Sequence, residues 1–129
     1  KMSAGSVSKM DLVLSLKGKA QCTLEIKRHL APKTVGAIIR ALPLEGNARL
    51  MGNSMAFMDS SLNAGGEKLR SQFKKGEIGF MASNGSICFF LEDVSETKAM
   101  TLVGKVTSNV DVLKDVKPGD IFSITQAAT

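Results

Sequence analysis

The sequence predicts a mainly β fold, a closed eight-stranded antiparallel barrel with two short capping α-helices. Three observations predict it. Apolar residues recur at every second position through most of the chain, the period of a strand with one buried face. The runs are short and are separated by Gly, Asn and Pro, the residues of tight turns. Strands do not alternate with helices in a β–α–β pattern, and no glycine-rich phosphate loop opens a helix, which argues against a nucleotide-binding α/β domain. Eight antiparallel strands can close on themselves and so leave no edge unpaired.

The elements follow in order. Residues 1–9 are read as a disordered N-terminus or an expression remnant, since Lys1 precedes Met2. Met10, Leu12, Leu14 and Leu16 alternate with Asp11, Val13 and Ser15; after Lys17-Gly18, the residues Ala20, Cys22, Leu24 and Ile26 alternate with Gln21, Thr23 and Glu25. Two such runs around a glycine read as a hairpin. The period then changes: Val35, Ile38, Ile39 and Leu42 fall on one helical face, with Pro32 in the first turn and Pro43 as the stop. Period two returns in Ala48–Met51 and Met55–Met58 around Gly52-Asn53. Residues 59–76 form the longest loop. Ile78-Phe80-Ala82 and Ile87-Phe89-Leu91 flank Asn84-Gly85, a strong hairpin signal because the short turn takes positive φ at both positions. Met100-Leu102-Gly104-Val106 reads as one alternating strand. Asn109 is placed to cap a short helix carrying Val110, Leu113 and Val116. Lys117-Pro118-Gly119-Asp120 turns into a last strand at 121–125, and 127–129 is a tail. The barrel domain is thus expected over 10–126.

Length and composition agree with one globular domain. The chain has 129 residues, 43% hydrophobic and 22% charged, and no apolar run near the ~20 residues that cross a bilayer. Seventeen basic against twelve acidic residues give a net charge of +5. The small basic cluster Lys68, Arg70, Lys74 and Lys75 lacks the interleaved aromatics of a single-strand binder, so no specific nucleic acid and no membrane is expected as partner. Cys22 and Cys88 are far apart and flanked by apolar residues, which reads as two buried free thiols in a cytoplasmic protein. With a single histidine, His29, no metal site and no cofactor is expected.

Three segments resemble the cyclophilins, in the same order along the chain. They are Ala31-Pro32-Lys33-Thr34-Val35 with Ala41-Leu42, then Gly79 through Phe90 with its Met81-Ala82 and Asn84-Gly85-Ser86, then Leu102-Val103-Gly104-Lys105-Val106 leading to Val110-Asp111-Val112-Leu113. The chain is more similar still to the small single-domain cyclophilin-like proteins of archaea and bacteria. There too a Pro-x-Thr-Val…Leu-Pro segment precedes a strand with Ala-Arg-Leu, and Lys-Pro-Gly-Asp precedes the last strand. The resemblance implies the same closed barrel. It also implies that Arg49 stands in the place of the catalytic arginine of the prolyl isomerases. The Gln and Gly-Gly-Asp that follow in true cyclophilins are absent here, as are any Trp and the pocket histidine.

The candidate site follows. Arg49 is the candidate donor to a carbonyl or carboxylate, its guanidinium being a fixed fork of N–H groups. Alternation puts Met51 on the same side, and Phe57, Met81, Phe90 and Leu91 complete the expected pocket. Such a site suits a peptide or small ligand, so the expected function is a binding module, with weak peptidyl-prolyl isomerisation through Arg49 as the alternative. Residues 66–76 are read as a lid over the cleft, hinged at Gly65, Gly66 and Gly76.

Overall fold

The first two alternating runs form the expected hairpin. In the computed structural model, which describes residues 8–128, β1 (Lys9–Leu16) pairs antiparallel with β2 (Ala20–Lys27), Leu12 opposite Leu24 and Leu14 opposite Cys22. Residues 1–7 of the expected N-terminal segment, and residue 129 of the tail, lie outside the described residues, whereas Lys9 already belongs to β1. The helix α1 (Pro32–Ala41) starts at Pro32, buries Val35 and Ile38 against the barrel, and gives way to the extended Leu42 just before Pro43. The remaining strands are β3 (Leu44–Met51), β4 (Met55–Met58), β5 (Glu77–Met81), β6 (Ser86–Phe90), β7 (Thr101–Val106) and β8 (Ile121–Gln126). They close in the order β1-β2-β7-β5-β6-β4-β3-β8, all neighbours antiparallel.

The interior is packed by one face of every strand. Leu12, Leu14, Leu16, Cys22, Leu24, Ile26, Ala56, Met58, Ile78, Phe80, Ile87, Phe89, Phe122 and Ile124 are all buried in one cluster, with Phe89 and Phe122 in edge-to-face contact at 5.6 Å. A second, smaller cluster lies on the outside of the barrel. It comprises Met55, Phe73, Cys88, Phe90 and Met100, each almost fully shielded, with Phe57, Met81, Val94 and Leu102 against it. Strand β6 is accordingly buried on both faces over all five of its residues.

Three local expectations are corrected. The run Met100-Leu102-Gly104-Val106 is not one face, because the register between β5 and β7 slips between Ile78 and Gly79. Gly104 and Val106 lie opposite the inward Ile26 and Leu24, whereas Met100 and Leu102 join the outer cluster. An extra residue in one strand reverses the alternation beyond it. The Asn84-Gly85 turn is a four-residue loop, since Met81 pairs with Ser86, and of the two only Gly85 takes positive φ, at 73°. The Asn84 side chain accepts the Ser86 N–H at 3.1 Å. The second helix, Val110–Asp115, is 3-10 rather than α. Asn109 does not cap it through its side chain; it takes the left-handed conformation at φ 56°, and its carbonyl accepts the Val112 N–H. With only six residues and no capping side chain, the segment keeps the tighter i→i+3 pattern.

Gly85 is required twice, by its positive φ and by space. A Cβ there would lie 2.7 Å from the Ser60 carbonyl oxygen and 3.0 Å from that of Leu62. The Ser60 hydroxyl in turn donates to the Gly85 carbonyl at 2.6 Å. Gly85→Ala should therefore lower folding stability by about 1–3 kcal/mol, read from the urea midpoint. An unchanged midpoint would show that the contact with Ser60 does not constrain the turn.

Candidate ligand-binding site

The site grows from one row of residues across the outer face. Arg49 lies opposite Phe57, Phe57 opposite Cys88, and Cys88 opposite Gly79. Gly79 has no side chain, and the space is taken by its neighbours: a Cβ there would lie 3.1 Å from Met100 Sδ and 3.3 Å from the Phe73 ring. Phe73 stacks flat on Phe90, with ring centroids 4.5 Å apart and planes inclined by 3°. The outer face of β4, β6 and β5 is thereby covered by a strap made of two segments of loop.

The strap is held by backbone and side-chain bonds. Phe73 and Val94 exchange both backbone hydrogen bonds, at 3.0 and 2.8 Å, and so do Arg70 and Met100, at 2.9 and 3.0 Å. The Arg70 guanidinium sits 5.0 Å from the Phe73 ring centroid and reaches Glu77 at 3.3 Å. Glu67 fixes the strap to the start of α1. Its carboxylate accepts the Thr34 N–H at 2.7 Å and the Thr34 hydroxyl at 2.9 Å, and its own N–H donates to the Thr101 hydroxyl. The backbone bond from Thr34 holds the Glu67 carboxyl below the usual carboxylate range, helped by the hydroxyl. Residues 66–76, expected as a lid hinged at glycines, are thus fastened at several points. They line shallow depressions with His29, Leu30 and Asp93, not the clefts described next. The basic cluster is likewise engaged: Lys68 donates to the His29 carbonyl and Lys75 pairs with Asp111.

Two clefts meet at Phe57. The first, about 600 Å³ and open, is lined by Asn47, Ala48, Arg49, Leu50, Phe57 and Val116 through Gly119. Arg49 is half-exposed, and its Nε donates to Asp59 Oδ2 at 3.1 Å. A pair this exposed contributes at most about 1 kcal/mol, so Asp59 orients the guanidinium more than it stabilises the fold. The terminal nitrogens have no partner among the described residues. The second cleft, about 170 Å³, is walled by Met51, Met55, Phe57, Met81, Cys88 and Met100, with Asn84, Ser86, Thr97 and Lys98 as its polar members.

Of the expected pocket, Met51, Phe57 and Met81 line one cleft. Phe90 does not line the cleft; it lies beneath, fully buried under Phe73. Leu91 is removed altogether, because it packs into the barrel interior and lines a separate depression at the barrel mouth with Leu50, Lys75 and Glu92. Arg49 is in the neighbouring cleft, joined to the methionines only through Phe57. Sequence reasoning grouped Met55 with the other methionines as a groove candidate but missed Ser86, Cys88 and Met100. The signal for a covered outer face was present in the unbroken apolar run from Ile87 to Leu91, which marks a strand buried on both sides.

The site offers binding groups rather than a nucleophile. Burial pushes the Cys88 thiol up to about 12 and the Cys22 thiol to about 11, so both are neutral at ordinary pH, and both are free. Among the described residues no group of three or more His, Cys, Asp or Glu is arranged to hold a metal ion, and no helix is long and apolar enough to cross a membrane.

Fold and site together define a small closed antiparallel barrel with two clefts on its outer wall. The sequence model of the cyclophilin-like family matches residues 18–125, and the chain belongs to that family. The fold is shared with a hypothetical protein of Archaeoglobus fulgidus known from a solution structure. The two superpose with a TM-score of 0.78 at 22% identity, over 93% of this chain and 96% of the other. No curated protein matches the sequence.

The Glu67 clamp makes the strap sensitive to acid. A carboxyl whose folded pKa is depressed stabilises the fold above its unfolded pKa and loses that contribution as pH falls through the folded value. Amides of residues 65–70 should therefore lose hydrogen-exchange protection progressively as pH is lowered from the usual carboxylate range through the depressed value of Glu67, after correction for intrinsic exchange. Glu67→Ala should show the same loosening already at pH 7. Equal protection in the variant and the wild type at pH 7 would contradict the clamp.

Proposed function

We propose that this protein is a binding module that receives an extended peptide or a small ligand along the groove running from Arg49 across Phe57 to the methionine cleft. The observation that carries this reading is Phe57, half-buried and shared by both clefts. It gives one continuous surface with a cation at one end and an apolar recess at the other. Ligand sites generally combine an apolar lining with a few convergent polar groups. Methionine walls add adaptability, because unbranched thioether side chains repack around differently shaped guests. Arg49, whose terminal nitrogens have no partner among the described residues, is the group to hold a carbonyl or carboxylate.

A second reading, weak peptidyl-prolyl cis-trans isomerisation, is favoured by the pairing of Arg49 directly opposite Phe57. A guanidinium beside an apolar surface is a donor for the twisted amide of the transition state. The glutamine and histidine that accompany the arginine in the isomerases are absent from this chain, so binding is the preferred reading.

Exchange NMR on an Ala-Pro peptide separates the two. The binding reading expects peptide-induced shifts at Phe57 and the cleft methionines, an unchanged cis–trans exchange rate, and about 10- to 100-fold weaker binding in Arg49→Ala, the loss of one charge-assisted hydrogen bond. Faster exchange that disappears in Arg49→Ala would establish the isomerase reading instead. Absence of both shifts and acceleration would overturn both.

A further inference from the structure

Ser86 Oγ is the one buried side-chain polar atom without a hydrogen-bond partner among the described residues. It is 98% shielded and lies in the wall of the methionine cleft. A buried hydroxyl left unpaired is costly, and such groups are rare in folded proteins. Its backbone N–H is satisfied by Asn84 Oδ1, so the turn accounts for the main chain of Ser86 and leaves the side chain alone. Most of the surrounding wall is thioether, thiol and phenyl, which offers at best weak acceptors, and none of Asn84, Thr97 and Lys98 bonds the hydroxyl.

The cleft holds about 170 Å³. That is roughly five to six times the ~30 Å³ share of one water. Of its other polar members, Asn84 has its Oδ1 engaged with the Ser86 N–H, and Thr97 and Lys98 come from the loop before β7. The space is of a size for a compact apolar group with a single polar atom. The sign of that atom follows from the one charged residue that lines the cleft, Lys98, with no carboxylate beside it. A partially negative acceptor is therefore favoured over a donor.

We propose that the methionine cleft is a specificity pocket for a compact apolar group carrying one hydrogen-bond acceptor, such as a carbonyl on a small ring, and that the Ser86 hydroxyl donates to it. This deepens the groove reading above and rests on it for the entry path, but it concerns a different residue and a different contact from Arg49. The groove selects an extended ligand by a cation at one end, and Ser86 selects what enters the apolar recess at the other.

The test uses two probes of the same ring, cyclopentanone and cyclopentane, titrated into the full chain with 13C-labelled methionine methyl groups. The expected result is that cyclopentanone shifts the methyls of Met55, Met81 and Met100, leaves the barrel-core Met58 unmoved, and binds more tightly than cyclopentane. In Ser86→Ala, cyclopentanone should bind about 3- to 10-fold more weakly, the worth of one neutral hydrogen bond, while cyclopentane is unaffected. The unliganded variant should be at least as stable as the wild type, because it no longer buries an unpaired hydroxyl. Three results would overturn the proposal: equal binding of the two probes by the wild type, equal weakening of both in the variant, or no shift at the cleft methyls. A clear loss of stability in unliganded Ser86→Ala would do so too, since it would mean that the hydroxyl is already satisfied. An Ala-Pro peptide that depends on Arg49 but binds Ser86→Ala unchanged would leave the groove standing and remove only this inference.

Discussion

The outer wall of this barrel is as apolar as its interior along β4, β6 and β5, and that constraint shapes everything around the site. Met55, Cys88 and Phe90 point away from the core and still have to be kept from water. The flat stack of Phe73 on Phe90 does this at the centre. Around it, Met100 fills the space that Gly79 leaves empty, and the strap is fastened by the Phe73–Val94 and Arg70–Met100 bridges and by Glu67 on Thr34. Where the strap ends, the apolar wall reaches the surface, and there the methionine cleft opens.

Site and strap are therefore one construction. Short β5 and β6 with a four-residue turn bring Ser86 and Asn84 to the edge of the covered patch. Strand β3 carries Arg49 and Met51 outward in alternation, so a cation and a thioether come to stand two positions apart on the same face. Phe57, opposite Arg49, joins the two clefts. The surface is soft and adaptable at one end and charged at the other, and burial keeps the Cys88 thiol neutral.

The barrel was legible in the sequence wherever one face of a strand meets the core and the other meets water. In β1 and β2 the period of two is clean, and Leu12, Leu14, Leu16, Cys22, Leu24 and Ile26 are buried as the pattern requires. Legibility failed where both faces are covered. In β6 alternation carries no information, so Phe90 was expected in the pocket and Leu91 beside it, while one lies under Phe73 and the other inside the barrel. In β7 a slip of register, which depends on the partner strand and leaves no mark in composition, reversed the phase beyond Leu102. Arg49, Met51, Phe57 and Met81 could be named from the sequence because they sit on outward strand faces that stay at least partly open to solvent. Ser86, Cys88 and Met100 were not: the first two lie on β6, which is buried on both faces, and Met100 reaches the site from the strap far along the chain. The same holds for Glu67, which replaces a local cap at α1 from 33 residues away.

A second, separable core outside the barrel builds the cleft. Native-state hydrogen exchange on Phe73→Ala tests it most directly. Removing a buried phenylalanine costs about 3–5 kcal/mol. Here the loss should fall on the strap, with amides of residues 70–76 and 94–100 losing protection while β1, β2 and β8 retain theirs. Uniform loss of protection across all eight strands would mean that barrel and strap form a single cooperative unit. Full protection of the strap without Phe73 would mean that the stack on Phe90 does not hold it.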